Sequence, residues 1–200
     1  MPGITAYGAY IPRTRLNRQA IVDANAWFDA SLRALGKGER SMCHWDEDAL
    51  TMAVEAASDC LARLDRGTVD TVYLASTTLP FADRQNSVVL AEALSLPRQL
   101  RAMDATSSQR AATSALISLL EQPVESGKQG LLVASEHRRP QAGSRQELLW
   151  GDGAAAVCIG FDTLLADYLG SVSIANDFVD HYRGESAEFD YDWEERWIRD

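Results

Sequence analysis

The stretch MDATSSQRAATSALISLL, Met103–Leu120, has the form of the end of a buried strand, a short polar turn and a helix of small and apolar residues. Such a turn aims its last residue, here Gln109, at the helix N-terminus, where the partial positive charge of the helix dipole stabilises an anion. A cysteine at such a position ionises readily and attacks thioesters. An amide cannot ionise, but it donates and accepts hydrogen bonds, so Gln109 can hold a carbonyl or enolate oxygen. Its surroundings are polar. Ser107, Ser108 and Arg110 share the turn, Asp104 precedes it, and Thr77 and Thr78 follow a second buried run, VDTVYLAS. Arg110 could meet a carboxylate or a phosphate, or form a surface ion pair. The serines have no evident base beside them, and helix capping explains a serine at such a place. The whole polar cluster could equally serve only to cap the helix and fill the turn.

Other chemistry-bearing residues carry less. Cys43 and His44 are adjacent and invite a metal, but the pair lacks further ligands, so no metal is expected. His137, in SEHRRP, follows a strand and is expected to face solvent, and His181 lies in an acidic segment. In GDGAAA, Gly151 and Gly153 look like a phosphate loop only superficially, because no G-x-G-x-x-G opens a helix and no Walker lysine follows. A strand packed closely on its neighbour is the better reading, with Asp152 accepting backbone hydrogen bonds near the site.

The elements that must position these residues can be read from periodicity. Strands are expected at 3–11, 69–75, 99–104, 130–135, 153–160 and 166–175. Helices are expected at 17–35, from a cap at Asp46 or Asp48 to about Leu64, at 84–95 and at 109–121, with a loop at 36–45. Apolar strands separated by helices predict an α/β fold: a mixed five-stranded sheet with helices on both faces. No internal repeat or low-complexity segment is present.

Hydrophobic residues make up 46% of the 200, enough for a sizeable core, and the net charge is −10. That charge argues against a nucleic-acid groove, which needs a basic stripe, and against an anionic membrane surface. Three scattered cysteines, no signal peptide and no apolar run near the ~18 residues of a membrane span predict a cytoplasmic protein. Residues 176–200 hold nine acids and three arginines together with several aromatics, which suits a segment that packs on something rather than a plain disordered tail.

Five stretches, in order and at matching spacing, resemble the thiolase superfamily, and within it the archaeal-type 3-hydroxy-3-methylglutaryl-CoA synthases and their bacterial relatives, with similarity also to ketoacyl synthase III. These are GITAYGAYIP, GERSMCHWDEDALTMAVEAA, ASTTLPFA, MDATSSQRAATSAL and GDGAAAVCIG. The resemblance covers one βαβαβαββ half of a two-half fold. It implies an N-terminal half-domain over 1–165 and a connecting strand and acidic aromatic segment over 166–200 that leads toward a second half. A split subunit, a truncated product and a fragment all fit this.

The resemblance places Gln109 where the family has its acyl-accepting cysteine and Thr77 where it has its acid/base glutamate. Thr78, Ser107, Ser108 and Arg110 become substrate-binding candidates, and Asp104, Gly151, Asp152 and Gly153 become structural residues near the site. An acyl-CoA is the implied substrate, with no cofactor beyond the coenzyme A thioester itself. Three readings stay open: carbon–carbon bond formation or cleavage (aldol, retro-aldol or decarboxylation) without a covalent acyl-enzyme; a non-catalytic subunit; and a partial gene product. The helix at 109–121 is small or apolar nearly all round and should be enclosed on all sides in a complete fold, so this chain alone should expose an apolar surface. The implied partners are a second copy or a C-terminal-half subunit, with a small OB-fold, zinc-ribbon protein implied by the resemblance alone.

Overall fold

A computed structural model describes residues 1–122, 125, 127–176, 181–184 and 187–192. The elements run in the order β1 (Gly3–Tyr10), β2 (Thr14–Asn17), α1 (Arg18–Asn25), a 3₁₀ turn (Ala30–Leu35), β3 (Glu39–Met42), α2 (Ala49–Cys60), a second 3₁₀ turn (Arg66–Thr68), β4 (Val69–Ala75), α3 (Asn86–Ala93), β5 (Arg101–Ala105), α4 (Ala111–Glu121), β6 (Gln129–Glu136), α5 (Arg145–Leu149), β7 (Gly153–Gly160), β8 (Ala166–Asp167), β9 (His181–Tyr182) and β10 (Tyr191–Asp192). The chain divides into two compact units. The first is Met1–Thr14, Ser41–His137 and Asp152–Ser171; the second is Arg15–Arg40, Arg138–Gly151 and Val172–Asp200.

The first unit contains a mixed sheet in the order β5-β4-β6-β7-β1-β8. Five strands form its body as expected, and the two-residue β8 adds a sixth at the edge of β1. β4 is parallel to β5 and to β6, while β7 is antiparallel to both β6 and β1. The alternation of the strands sorts their side chains onto two faces. Val72, Leu74, Leu131, Val133, Ala156 and Cys158 meet α2 and α3 on one face. Tyr73, Ala75, Leu132 and Ile159 meet α4 on the other.

Small residues set how closely α2 approaches. Ala49, Ala53, Ala56 and Ala57 are all fully buried, and a Cβ added at Gly8 of β1 would lie 2.2 Å from the Cys60 backbone nitrogen. The helix begins at a capping box. The Asp48 carboxylate accepts from Leu50 N at 2.9 Å and Thr51 N at 2.8 Å, and Asp48 N donates to the Thr51 hydroxyl at 2.7 Å.

The second unit is built around Ile21, Val22, Leu32 and Leu148. The described part of the acidic aromatic segment packs within this unit. Arg138 donates to His181 Nε2 at 2.8 Å and pairs with Asp190 at 3.2 Å, the Trp150 and His181 rings lie 4.9 Å apart, and Tyr182 stacks on Tyr191. Phe178, Trp193 and Trp197, which belong to the same expectation, lie outside the described residues.

Three local expectations are corrected. The helix expected over 17–35 stops at Asn25, and Asp29 starts a separate 3₁₀ turn by accepting from Ser31 N at 2.8 Å. The loop expected at 36–45 contains β3, and β2 and β3 form a two-stranded ribbon. The strand expected over 166–175 shrinks to β8. The helix α4, expected to be enclosed only in a complete fold, has one covered face within this chain. Ala111, Ala115, Leu119 and Leu120 are buried, Ala112, Leu116 and Ile117 are half-buried, and Thr113 and Ser114 are exposed. The physical reason is that the sheet covers α4 from one side only.

Candidate functional site

Three parallel strands, β5, β4 and β6, end side by side, with Ala75 in register with Ala105 and with Ala134. β7 begins at this end, where Gly153 pairs with Glu136, and β1 finishes there, where Tyr10 pairs with Ala154. In open α/β sheets the carboxyl ends of parallel strands are where ligands bind. Every site residue expected from the sequence lies on a loop or strand terminus at this end.

The loop after β4 is tied to its neighbours. Ser76 N donates to Ala105 O at 3.0 Å, linking it to the end of β5. The Glu136 carboxylate, at the end of β6, accepts from Thr77 N at 2.7 Å and from the Thr77 and Thr78 hydroxyls at 3.1 Å each. The position where a glutamate was missed in the sequence therefore has a carboxylate beside it, supplied by another strand. The Thr78 hydroxyl also accepts from His137 N at 3.0 Å.

The turn between β5 and α4 is more open. Ser107 adopts φ +64°, in the left-handed region that non-glycine residues rarely occupy. Ser108 Oγ accepts from Arg110 N at 3.1 Å, and Ala111 N donates to Ser108 O at 3.0 Å, which closes the turn. The helix starts at Ala111, so Gln109 stands two residues before it rather than as its first residue. Ser107, Ser108, Gln109 and Arg110 are all exposed. The Gln109 side chain is thus exposed, at the N-terminal end of α4.

Asp104 has a structural role that can be stated atom by atom. Its carboxylate accepts from Asn86 N at 2.7 Å, Ser87 N at 2.7 Å and Asn86 Nδ2 at 3.0 Å, so it caps α3 from a neighbouring strand. Burial pushes its pKa up, but the hydrogen bonds from Ser87 and Asn86 together outweigh that and hold the carboxyl below the ordinary aspartate value.

A second polar cluster occupies the same end of the sheet. Asp152, 6% exposed, accepts from Cys43 N at 2.8 Å and lies 3.1 Å from His137 Nδ1. Ser41 donates its hydroxyl to Asp152 O at 2.6 Å, and Asp152 N donates back to Ser41 O at 3.2 Å. The ligand atoms of Cys43, His137 and Asp152 all lie within 4.8 Å of one another. Burial pushes the Cys43 thiol up to about 12, with the Asp152 charge and hydrogen bond adding to it, so this thiol is no nucleophile at neutral pH.

One sequence reading is corrected here. His137 pairs with Asp152 and is half-buried rather than facing solvent. Cys43 does not act with His44, whose ring engages Asp46 at 2.6 Å instead. Gly151 is exposed, and Gly153 opens β7 against Tyr10 O. Glu136 and His137 are the residues that sequence reading missed. The available signal was their place, the first titratable pair after the buried run GLLVAS.

No family model matches the chain. A hydroxymethylglutaryl-CoA synthase of Caldivirga maquilingensis is 33% identical over 193 residues, which is 94% of this chain and 55% of that protein. The synthase of Methanocaldococcus jannaschii is 32% identical over 197 residues, again 94% of this chain and 56% of the relative. Over nearly all of its own length the chain is thus similar to hydroxymethylglutaryl-CoA synthases. It spans about half the length of the curated relatives it matches. Solved structures agree on the fold. MvaS in complex with 3-hydroxy-3-methylglutaryl coenzyme A superposes with a TM-score of 0.83 at 22% identity, over 98% of this chain and 49% of that one. A hydroxymethylglutaryl-CoA synthase complexed with CoA gives 0.82 at 20% identity, over 98% and 51%. Within this thiolase-like fold, the exposed turn at Gln109, the half-buried Glu136 and the buried Asp152 share the end of the sheet where β5, β4 and β6 finish.

Proposed function

We propose that this thiolase-like half takes part in handling an acyl-CoA thioester, making or breaking a carbon–carbon bond beside the thioester carbonyl without a covalent acyl-enzyme. The observation that carries the reading is Glu136, held by three hydrogen bonds from Thr77 and Thr78 at the strand ends. A carboxylate positioned there can take a proton from the carbon next to the carbonyl, or from the hydroxyl of a 3-hydroxyacyl group. The electron pair of the breaking C–H or C–C bond then moves onto the thioester oxygen. The Gln109 amide, which cannot attack that carbonyl, can donate a hydrogen bond to the oxygen as its charge develops. Glu136 returns the proton when the enolate collapses. Thr77, in this reading, positions the carboxylate rather than exchanging protons itself.

A second reading, a non-catalytic subunit of a thiolase-like assembly, is favoured by the exposure of the whole Ser107–Arg110 turn. In both readings the open face of α4 is covered by a partner: a second copy or a C-terminal-half subunit. The experiment is calorimetry with CoA and 3-hydroxy-3-methylglutaryl-CoA on the protein with its partners, followed by incubation of the thioester in D₂O and mass spectrometry. Deuterium entering next to the carbonyl, with no acyl adduct on the intact chain, supports the enzyme. Absence of thioester binding by every assembled form assigns the structural role.

A further inference from the structure

We infer that Cys43, His137 and Asp152 form a binding site for a divalent transition-metal ion of the zinc type. The three side chains offer sulfur, nitrogen and oxygen, the donor set that zinc and its neighbours accept. They come from three segments: the loop after β3, the residue after β6 and the residue before β7. Their ligand atoms already converge within 4.8 Å, and the His137–Asp152 separation is 3.1 Å. Tetrahedral bonds of about 2.0–2.3 Å set ligand atoms roughly 3.2–3.8 Å apart, so the closest pair needs almost no movement and the widest closes by about 1 Å.

The outer contacts strengthen the assignment, because metal sites hold their ligands through a second layer of hydrogen bonds. Asp152 is oriented by the Cys43 amide and pinned to Ser41 on both its backbone groups. His137 is fixed at its backbone nitrogen by the Thr78 hydroxyl. A nucleophilic cysteine triad is the alternative use of the same residue types, but it needs an accessible sulfur. Cys43 is 8% exposed, and its sulfur rests 3.5 Å from Met52 Sδ. Binding would replace the thiol proton by the metal, with release of one proton to solvent. Three protein ligands leave a fourth position for water or a ligand oxygen, and the His137 side chain, 31% exposed, marks the solvent side. The site would lie one residue along the chain from Glu136, yet it stands independently of the acyl-CoA reading.

The test is metal analysis of the untagged protein, purified without chelators from zinc-supplemented medium, by inductively coupled plasma mass spectrometry. The expected result is about one zinc per chain, falling at least tenfold in His137→Ala and Asp152→Ala and unchanged in His44→Ala. Cobalt exchanged into the wild type should show a thiolate-to-cobalt charge-transfer band in the near ultraviolet, absent in Cys43→Ser. Substoichiometric zinc in the wild type after zinc exposure overturns the inference, as does full retention in folded His137→Ala. Should the variants not fold, the cobalt spectrum of the wild type decides alone: a thiolate band supports the site, and its absence overturns it.

Discussion

Two corners of the same sheet end differ in how their polar groups are held. The turn after β5 carries Ser107, Ser108, Gln109 and Arg110 as four consecutive exposed residues. The corner after β6 brings Glu136, His137, Asp152, Cys43, Thr77 and Thr78 together from four separate segments, with Asp152 and Cys43 buried. In the first corner the side chains are neighbours because they are consecutive. In the second they are neighbours because strands pair, and their hydrogen bonds cross as many as 109 positions. Groups gathered this way, away from bulk water, are oriented before any ligand arrives. Charge and hydrogen bonding count for more there than in an exposed turn. The corner that looked depleted, with a threonine in place of a glutamate, is the one with a carboxylate in position.

The comparison can be broken most severely at Glu136. Glu136→Gln keeps the size and most hydrogen-bonding capacity but removes the proton acceptor. Solvent deuterium exchange into a bound thioester should fall by about 10²–10⁴-fold, with thioester affinity by calorimetry changing far less. Unchanged exchange would return the chemistry to the turn at Gln109.

A stability effect of the next size is expected at Asp104, which ties the β5 turn to α3. Asp104→Ala leaves the amides of Asn86 and Ser87 without their acceptor and should lower stability by about 2–3 kcal/mol in urea titrations. The sign with pH follows from its lowered pKa. Unfolding takes up a proton below the ordinary aspartate value of 3.8, so the contribution is full at neutral pH and is lost as pH falls through the depressed folded pKa. The wild type should therefore lose more stability than Asp104→Asn between pH 5 and pH 3.

Thr77→Val sharpens the picture further. It removes one hydroxyl donor to Glu136 but keeps the backbone donor, so exchange should fall about tenfold, equal to about 1.4 kcal/mol in the barrier. Thr77→Ser should restore most of it. The smallest effect belongs to the exposed turn. Ser107→Gly relieves the left-handed strain at φ +64° while adding backbone entropy to the unfolded chain, so the net shift in thermal unfolding should be within about 1 kcal/mol.

Much was legible from the chain alone where the signal is local. Val69–Ala75 and Gly153–Gly160 are strands to the residue, because short continuous apolar runs bounded by turn residues permit little else. The β5 turn and the mixed α/β sheet follow from pattern and spacing, whereas positions 77 and 109 were singled out by the family resemblance. Less legible were β3, whose pairing lies outside its own polar sequence, and the break at Ala26–Asp29, where side chains of Asn25 and Asp29 bond nearby backbone and end the helix early.

What the sequence by itself determined is the list of strands, the helices between them and the polar, non-ionisable side chains of Thr77 and Gln109 after two of the strands. Tertiary structure alone decided which groups meet. Glu136 reaches Thr77 because β6 pairs with β4, and Asp152 reaches Cys43 and His137 because β7 begins where β6 ends. Periodicity reports the face a residue occupies, whereas a site assembled across strands depends on their order and register, which no single segment encodes.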